Sequence, residues 1–305
     1  MSVEIVKSKY EEQLKRIKGV IGVGTGNRHI VVFVKEMTPE VQAFVPTDLE
    51  GIPVRIMVTG KVELLSATSK VRPVPAGVSI GHYLITAGTL GCWVTKGSEV
   101  FGLSNNHVVA LNWGDMKEGN KGDKILQPGS RDGGTEEDAI GELDEWVDVD
   151  VDKENKIDAG LFRPYEGVVK NDILEVGKIT DIAEPQLGSV VKKFGRTTGL
   201  TYGKVEAVDA SIEVEGFGTC PFTDQIIIQQ PFVLGGDSGS LLVDEANRAV
   251  GLVFAASDKV AIANRITNVV DAFNVAWFLY TLDYKKLAEI ALVGGSALVA
   301  MKLIW

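Results

Sequence analysis

The 305-residue chain is short of cysteine, of positive charge and of long apolar runs, and each shortage closes off a class of protein. Its two cysteines, Cys92 and Cys220, are too few for a disulfide framework and too far apart in sequence to suggest a metal site by spacing. They read as free, reduced, buried small hydrophobes. The formal net charge of -10 leaves no basic face on average, so a nucleic-acid partner has no electrostatic footprint. The opening MSVEIVKSKYEEQLKRIKG holds no apolar core of the kind a signal peptide needs, and the expected location is the cytoplasm. No internal period recurs, which argues against a solenoid or propeller. The greasiest stretch, between Glu289 and Lys302, has about a dozen uncharged residues where a spanning helix takes about 20.

What is present falls into three parts. Residues 1–72 alternate a charged amphipathic segment from about Glu4 to Lys18, the apolar runs VIGVG and IVVFV, a short helical TPEVQAF and IPVRIMV, which reads as a small α/β domain. The stretch SATSKVRPVPAG, Ser66 to Gly77, is rich in small residues and proline and reads as the linker. Residues 73–275 are short β-branched runs separated by Gly, Asp and Asn clusters, among them GCWVT, HVVAL, SVVKKFG, GKVEAV, SIEVEG, QIIIQQ, SLLVD and AVGLVFA. That pattern predicts a mainly β antiparallel sandwich or barrel. The chain turns helical again with TNVVDAFNVAWFLYTL, opening on a Thr267 cap, and residues 276–305 form an apolar helical tail. The tail would pack on its own chain or a neighbouring subunit ahead of touching a membrane surface.

Serine nucleophilic catalysis needs a hydroxyl, a base within reach, a carboxylate to orient the base and N–H donors for the oxyanion. In GGDSGS, residues 235–240, glycines around Ser238 permit a sharp backbone path that aims the N–H groups of Gly236 and Ser238 at one spot. Of the three histidines, His107 in GLSNNHVVAL sits at a strand edge behind small polar residues, while His29 and His82 read as structural or exposed. Asp158 in NKIDAGLF is a lone acid flanked by Ile157 and Ala159, so it is desolvated unless partnered. Asp148, Asp150 and Asp152 open like a calcium loop, but the sixth position is Lys153 and the twelfth Ala159, which leaves a solvated charge run and no metal site. The order His107, Asp158, Ser238, with Ser240 where a G-x-S-x-G elbow needs glycine, excludes an α/β-hydrolase.

With SNNHVVA, IDAGLF and GGDSGSLLVD in that order, the sequence resembles the trypsin-like serine endopeptidases of the chymotrypsin fold. AGTLGCWV, ILQPGSRDGG, GRTTGLTYGKV, DQIIIQ and NRAVGLVFAAS are similar to an intracellular branch found in bacteria, phages and plants, over about Pro75 to Val270. The resemblance implies two six-stranded antiparallel β-barrels with a cleft between them, a protein or peptide substrate and no cofactor. It casts His107 as base, Asp158 as its orienter, Ser238 as nucleophile, and Gly236 and Ser238 as oxyanion donors. Asp237 would pair with a local donor that the sequence does not identify, and GRTTG would be a turn opening the second barrel. Phe254, Ala255 and Ala256 would pair with substrate, Phe254 standing where many relatives have serine. Phe232 at the pocket base and Ala256 and Ala261 at its walls would favour small or medium apolar side chains. The alternative is a catalytically latent protease-fold scaffold or binding protein, with homo-oligomer contacts through the N-terminal domain or the tail, or membrane-surface association of the tail.

Overall fold

A computed structural model describes residues 2–60, 66–84, 87–216 and 218–277. The chain divides after Leu65 into two compact units. The first carries helix α1 (Val3–Lys15), strands β1 (Val20–Gly26) and β2 (His29–Val34), helix α2 (Pro39–Phe44), and strands β3 (Asp48–Leu49) and β4 (Ile52–Val58). Its sheet runs β1-β2-β4-β3, with β1 antiparallel and β4 parallel to β2. Ile30, Val32 and Val34 recur at every second residue of β2 and form the core with Val6, Leu14 and Val41. Thr38 caps α2 by accepting from the Val41 N–H at 3.2 Å, and Pro39 supplies a preset first helical residue.

The second unit opens with β5 (Val74–Ala76), β6 (Ser79–His82), β7 (Gly88–Thr89), β8 (Cys92–Lys96) and β9 (Glu99–Ser104). A single helical turn, α3 (Asn106–Val109), follows, then β10 (Asn112–Trp113), β11 (Met116–Lys117), β12 (Lys124–Leu126), β13 (Ala139–Trp146) and β14 (Gly160–Pro164). The larger sheet runs β8-β9-β14-β13-β12-β6-β7 and curves as a half-barrel. Next come β15 (Val169–Ile173), β16 (Asp181–Ile182), β17 (Val190–Gly195), β18 (Gly199–Gly216), β19 (Gly218–Gln229), β20 (Leu241–Asp244), β21 (Arg248–Ala256) and β22 (Val260–Arg265). Here the order is β16-β21-β20-β17-β18-β19-β22, and a further β21–β22 pairing closes these strands, β16 excepted, into a ring. Helix α4 (Ile266–Phe273) leads to β23 (Ala276–Trp277), which adds to the outer edge of β8. The chain is thus mainly β.

Four local expectations change. The stretch 66–77 is no free linker: β5 is buried, pairs in parallel with β15, and its Val74 carbonyl accepts the Trp93 indole N–H at 3.0 Å. HVVAL forms α3 instead of a strand, because the Asn106 amide donates to the carbonyls of Asn112 at 2.7 Å and Val147 at 2.6 Å and curls the segment. GKVEAV and SIEVEG are one long strand, β18, whose irregularity at Asp209, φ +54°, is a bulge inside the ladder and not a turn between strands. Helix α4 starts at Ile266 with Arg265 as its uncapped N-cap, so Thr267 lies inside the first turn. Asn274 in the left-handed region ends the helix, and Ala276–Trp277 is a strand; the expected tail beyond it lies outside the described residues.

Candidate active site

α3 presents His107 with 22% of its side chain exposed, whereas Asp158, just before β14, has none. The Asp158 carboxylate takes two bonds from the same residue: Oδ1 accepts the His107 backbone N–H at 3.1 Å, and Oδ2 pairs with His107 Nδ1. A carboxylate facing Nδ1 places the ring proton there and leaves Nε2 as the free, proton-accepting nitrogen. Asp158 is held in turn. Its N–H donates to Asn264 Oδ1 at 3.0 Å, its carbonyl accepts the Asn105 amide at 2.7 Å, and Asn264 Nδ2 donates to Gln225 Oε1 at 2.8 Å. Asn105, Asn264 and Gln225 are all buried. Phe254 supplies no polar support to the carboxylate; its ring instead packs 4.7 Å from Phe222.

Ser238 stands in the loop between β19 and β20, where Gly236 has φ +99° and Gly239 φ +93°. A Cβ on Gly236 would lie 2.5 Å from Thr197 Oγ1, and one on Gly239 2.2 Å from the Thr89 carbonyl oxygen, so both positions require glycine. The N–H groups of Asp237, Gly239 and Ser240 donate to Leu234, Val253 and Asp237 carbonyls at 3.0, 2.8 and 3.0 Å. Those of Gly236 and Ser238 meet no acceptor among the described residues. Ser238 Oγ donates to the Phe254 carbonyl at 3.4 Å.

The donor that Asp237 needs is a set. Oδ1 accepts from the N–H groups of Thr197 and Thr198 at 2.8 and 3.1 Å, and Oδ2 from Thr198 Oγ1 at 2.7 Å and Leu234 N–H at 3.0 Å. Lys193 Nζ completes it at 3.6 Å, with both side chains fully buried. Burial pulls the Lys193 ammonium below its ordinary range while Asp237 pushes it back. GRTTG is therefore the β17–β18 turn, and it also anchors the loop that bears Ser238.

His107 and Ser238 line one cleft of about 560 Å³, together with Trp113, Phe254, Ala255 and Ala256. Phe232 and Ala261 do not line it. Ala261 and Ala263 face the core of the ring, so the alternate residues Val260 and Ile262 reach the cleft. Phe232 is buried in that core, its ring centroid 5.7 Å from Lys193 Nζ, and borders a separate depression of about 480 Å³. The wall before Ser238 is instead Val233, Leu234 and Gly235. Sequence reasoning also missed the hairpin wall Ile212–Gly216, which brings in Glu213 and Glu215, and Trp113, whose ring lies edge-on to His107 at 5.9 Å. The other histidines lie elsewhere: His82 is buried on Asp123 at 3.0 Å, and half-buried His29 bonds the Asn27 carbonyl at 2.8 Å.

No protein-family model matches the chain, and no curated protein does. Solved structures do. A glutamic acid-specific serine protease matches with TM-score 0.51 and 22% identity over 67% of this chain and 100% of that one. An alpha-lytic protease homolog, N4, matches with TM-score 0.51 and 20% identity over 67% and 98%. Thermobifida fusca protease A matches with TM-score 0.50 and 17% identity over 67% and 97%. The fold is that of the chymotrypsin-type serine proteases.

Proposed function

We propose that the chain is a serine endopeptidase working through His107, Asp158 and Ser238. The observation that carries this reading is the pairing of His107 Nδ1 with a buried carboxylate, which leaves Nε2 free in the same cleft as Ser238. In the reaction Ser238 Oγ attacks the substrate carbonyl carbon as its proton passes to His107 Nε2, and the imidazolium is stabilised by Asp158. The N–H groups of Gly236 and Ser238 take the oxyanion. Collapse breaks the C–N bond, the amine leaves with the proton from His107, and water repeats the sequence on the acyl-enzyme. The Ser238 hydroxyl turns from the Phe254 carbonyl to His107 when substrate enters; such bonds tighten on binding.

The reading extends the fold to two six-stranded barrels with catalytic residues shared across the cleft. No cofactor takes part. The apolar wall of Val233, Leu234, Val260 and Ile262 supports a modest preference for small or medium apolar side chains. A fluorophosphonate probe tests the chemistry: wild type becomes labelled, and Ser238→Ala and His107→Ala do not. Folded wild-type protein that stays unlabelled overturns the reading in favour of a latent scaffold.

A further inference from the structure

The Thr197 hydroxyl donates to the Gly235 carbonyl at 2.8 Å. A trans peptide unit is planar, with its C=O and N–H pointing in opposite directions. Fixing the Gly235 oxygen toward Thr197 therefore fixes the Gly236 N–H on the opposite side, where it meets no acceptor among the described residues. The next unit is held as firmly. Thr89 Oγ1 donates to the Gly236 carbonyl at 2.9 Å while accepting the Arg196 N–H at 3.0 Å.

Two glycines in succession give this segment the freedom to rotate the 235–236 unit and withdraw the Gly236 N–H. Among the described residues the only hydrogen bond to this unit is the one the Gly235 oxygen accepts from Thr197. We infer that Thr197 is a positioning residue, a latch whose hydroxyl keeps the Gly236 N–H aimed at the oxyanion, and this rests on the reading of Ser238 as nucleophile.

The latch is itself braced. Arg196 Nη1 donates to Thr197 Oγ1 at 3.1 Å, and the guanidinium is clamped by Asp132 through Nε at 2.7 Å and Nη2 at 2.6 Å. The Thr197 N–H bonds Asp237 Oδ1, so one residue holds two points of the segment leading into Ser238: backbone to the acid, hydroxyl to the oxyanion peptide. Thr197 is exposed, so replacing its side chain leaves the core untouched.

Thr197→Val keeps the shape and the backbone N–H and removes only the hydroxyl; Thr197→Ser keeps the hydroxyl. Losing one oxyanion donor costs about 100- to 1000-fold in kcat, so loosening one is expected to cost about 10- to 100-fold. The experiment measures kcat, KM and fluorophosphonate labelling rate on a peptide substrate for wild type and both variants, with Tm beside them. The expected result is a loss confined to kcat and labelling rate in Thr197→Val, with KM and Tm held, and recovery in Thr197→Ser. Unchanged kcat in Thr197→Val, a loss carried by KM or Tm, or a Thr197→Ser as impaired as the valine variant overturns the latch. Wild type that is not labelled at all overturns the nucleophile reading, and the latch with it; labelled wild type with an unaffected valine variant overturns the latch alone.

Discussion

Lys193 is the residue whose chemistry is most out of keeping with its surroundings. A buried ammonium beside a buried carboxylate is worth little against an apolar pair, but removing one partner leaves an uncompensated charge at a cost of about 3–5 kcal/mol. Lys193→Met is expected to lower unfolding free energy by that amount in urea titration and to slow probe labelling, since Asp237 precedes the nucleophile. Adding Asp237→Asn removes the uncompensated charge but sets an amide N–H against one pair of donors, so only part of the stability is expected to return, without the activity. Equal stability of Lys193→Met and wild type would mean that the donors from Thr197, Thr198 and Leu234 satisfy Asp237 without the lysine. The pair was half legible in the sequence. Asp237 in GGDSGS demanded a donor, and Lys193 occupies an inward position of β17, two residues from buried Val191, but a lysine in a strand gives no sign of which acid it meets.

At the scale of elements, the polar chain from Gln225 on β19 through Asn264 on β22 to the Asp158 N–H is where the ring sheet holds the backbone that carries the carboxylate. Asn264→Leu leaves the Asp158 N–H and the Gln225 Oε1 without the partner each has in a buried site, and a group so stranded costs about 1–3 kcal/mol. Both Tm and labelling rate are expected to fall, and a variant with normal labelling would show that Asp158 is held from its own sheet alone. His107, Asp158 and Ser238 were readable as site candidates because each sits in a short, compositionally marked segment. Asn264 and Gln225 were not, since each lies in an apolar strand and its role is set by cross-strand register. Register also explains the pocket: one residue of slip in reading β22 exchanges Ala261 for Val260 and Ile262, and every side chain changes face. The one-turn helix under His107 was hidden for another reason, because VVAL reads as strand until Asn106 is seen to tie both ends of the curl.

For the whole molecule, the buried His82 makes stability depend on pH. Burial holds its pKa below the usual 6.5, against the opposing pull of Asp123, and its Nδ1 accepts the Leu84 N–H at 3.3 Å, a bond protonation would break. The folded state therefore binds its proton less readily than the unfolded chain, so this contribution is intact above about pH 6.5 and is lost as pH falls through the folded pKa. Tm measured from about pH 8 down to pH 5 is expected to decline, and His82→Gln to decline less steeply. Parallel curves for the two would remove His82 as the cause.

One seam has a consequence for the order of events. Thr89, on the half-barrel, binds the Ser238 carbonyl through its N–H at 2.8 Å and the Gly236 carbonyl through its hydroxyl, while Asp158 waits on Asn264 from near the end of the described chain. Early and late stretches must meet before the loop around Ser238 acquires its shape. A ribosome-bound chain that has not yet released residue 264 therefore carries His107, Asp158 and Ser238 but lacks the Asn264 hold on Asp158. If Ser238 acts as proposed, the site stays unfinished until translation of the second sheet is complete.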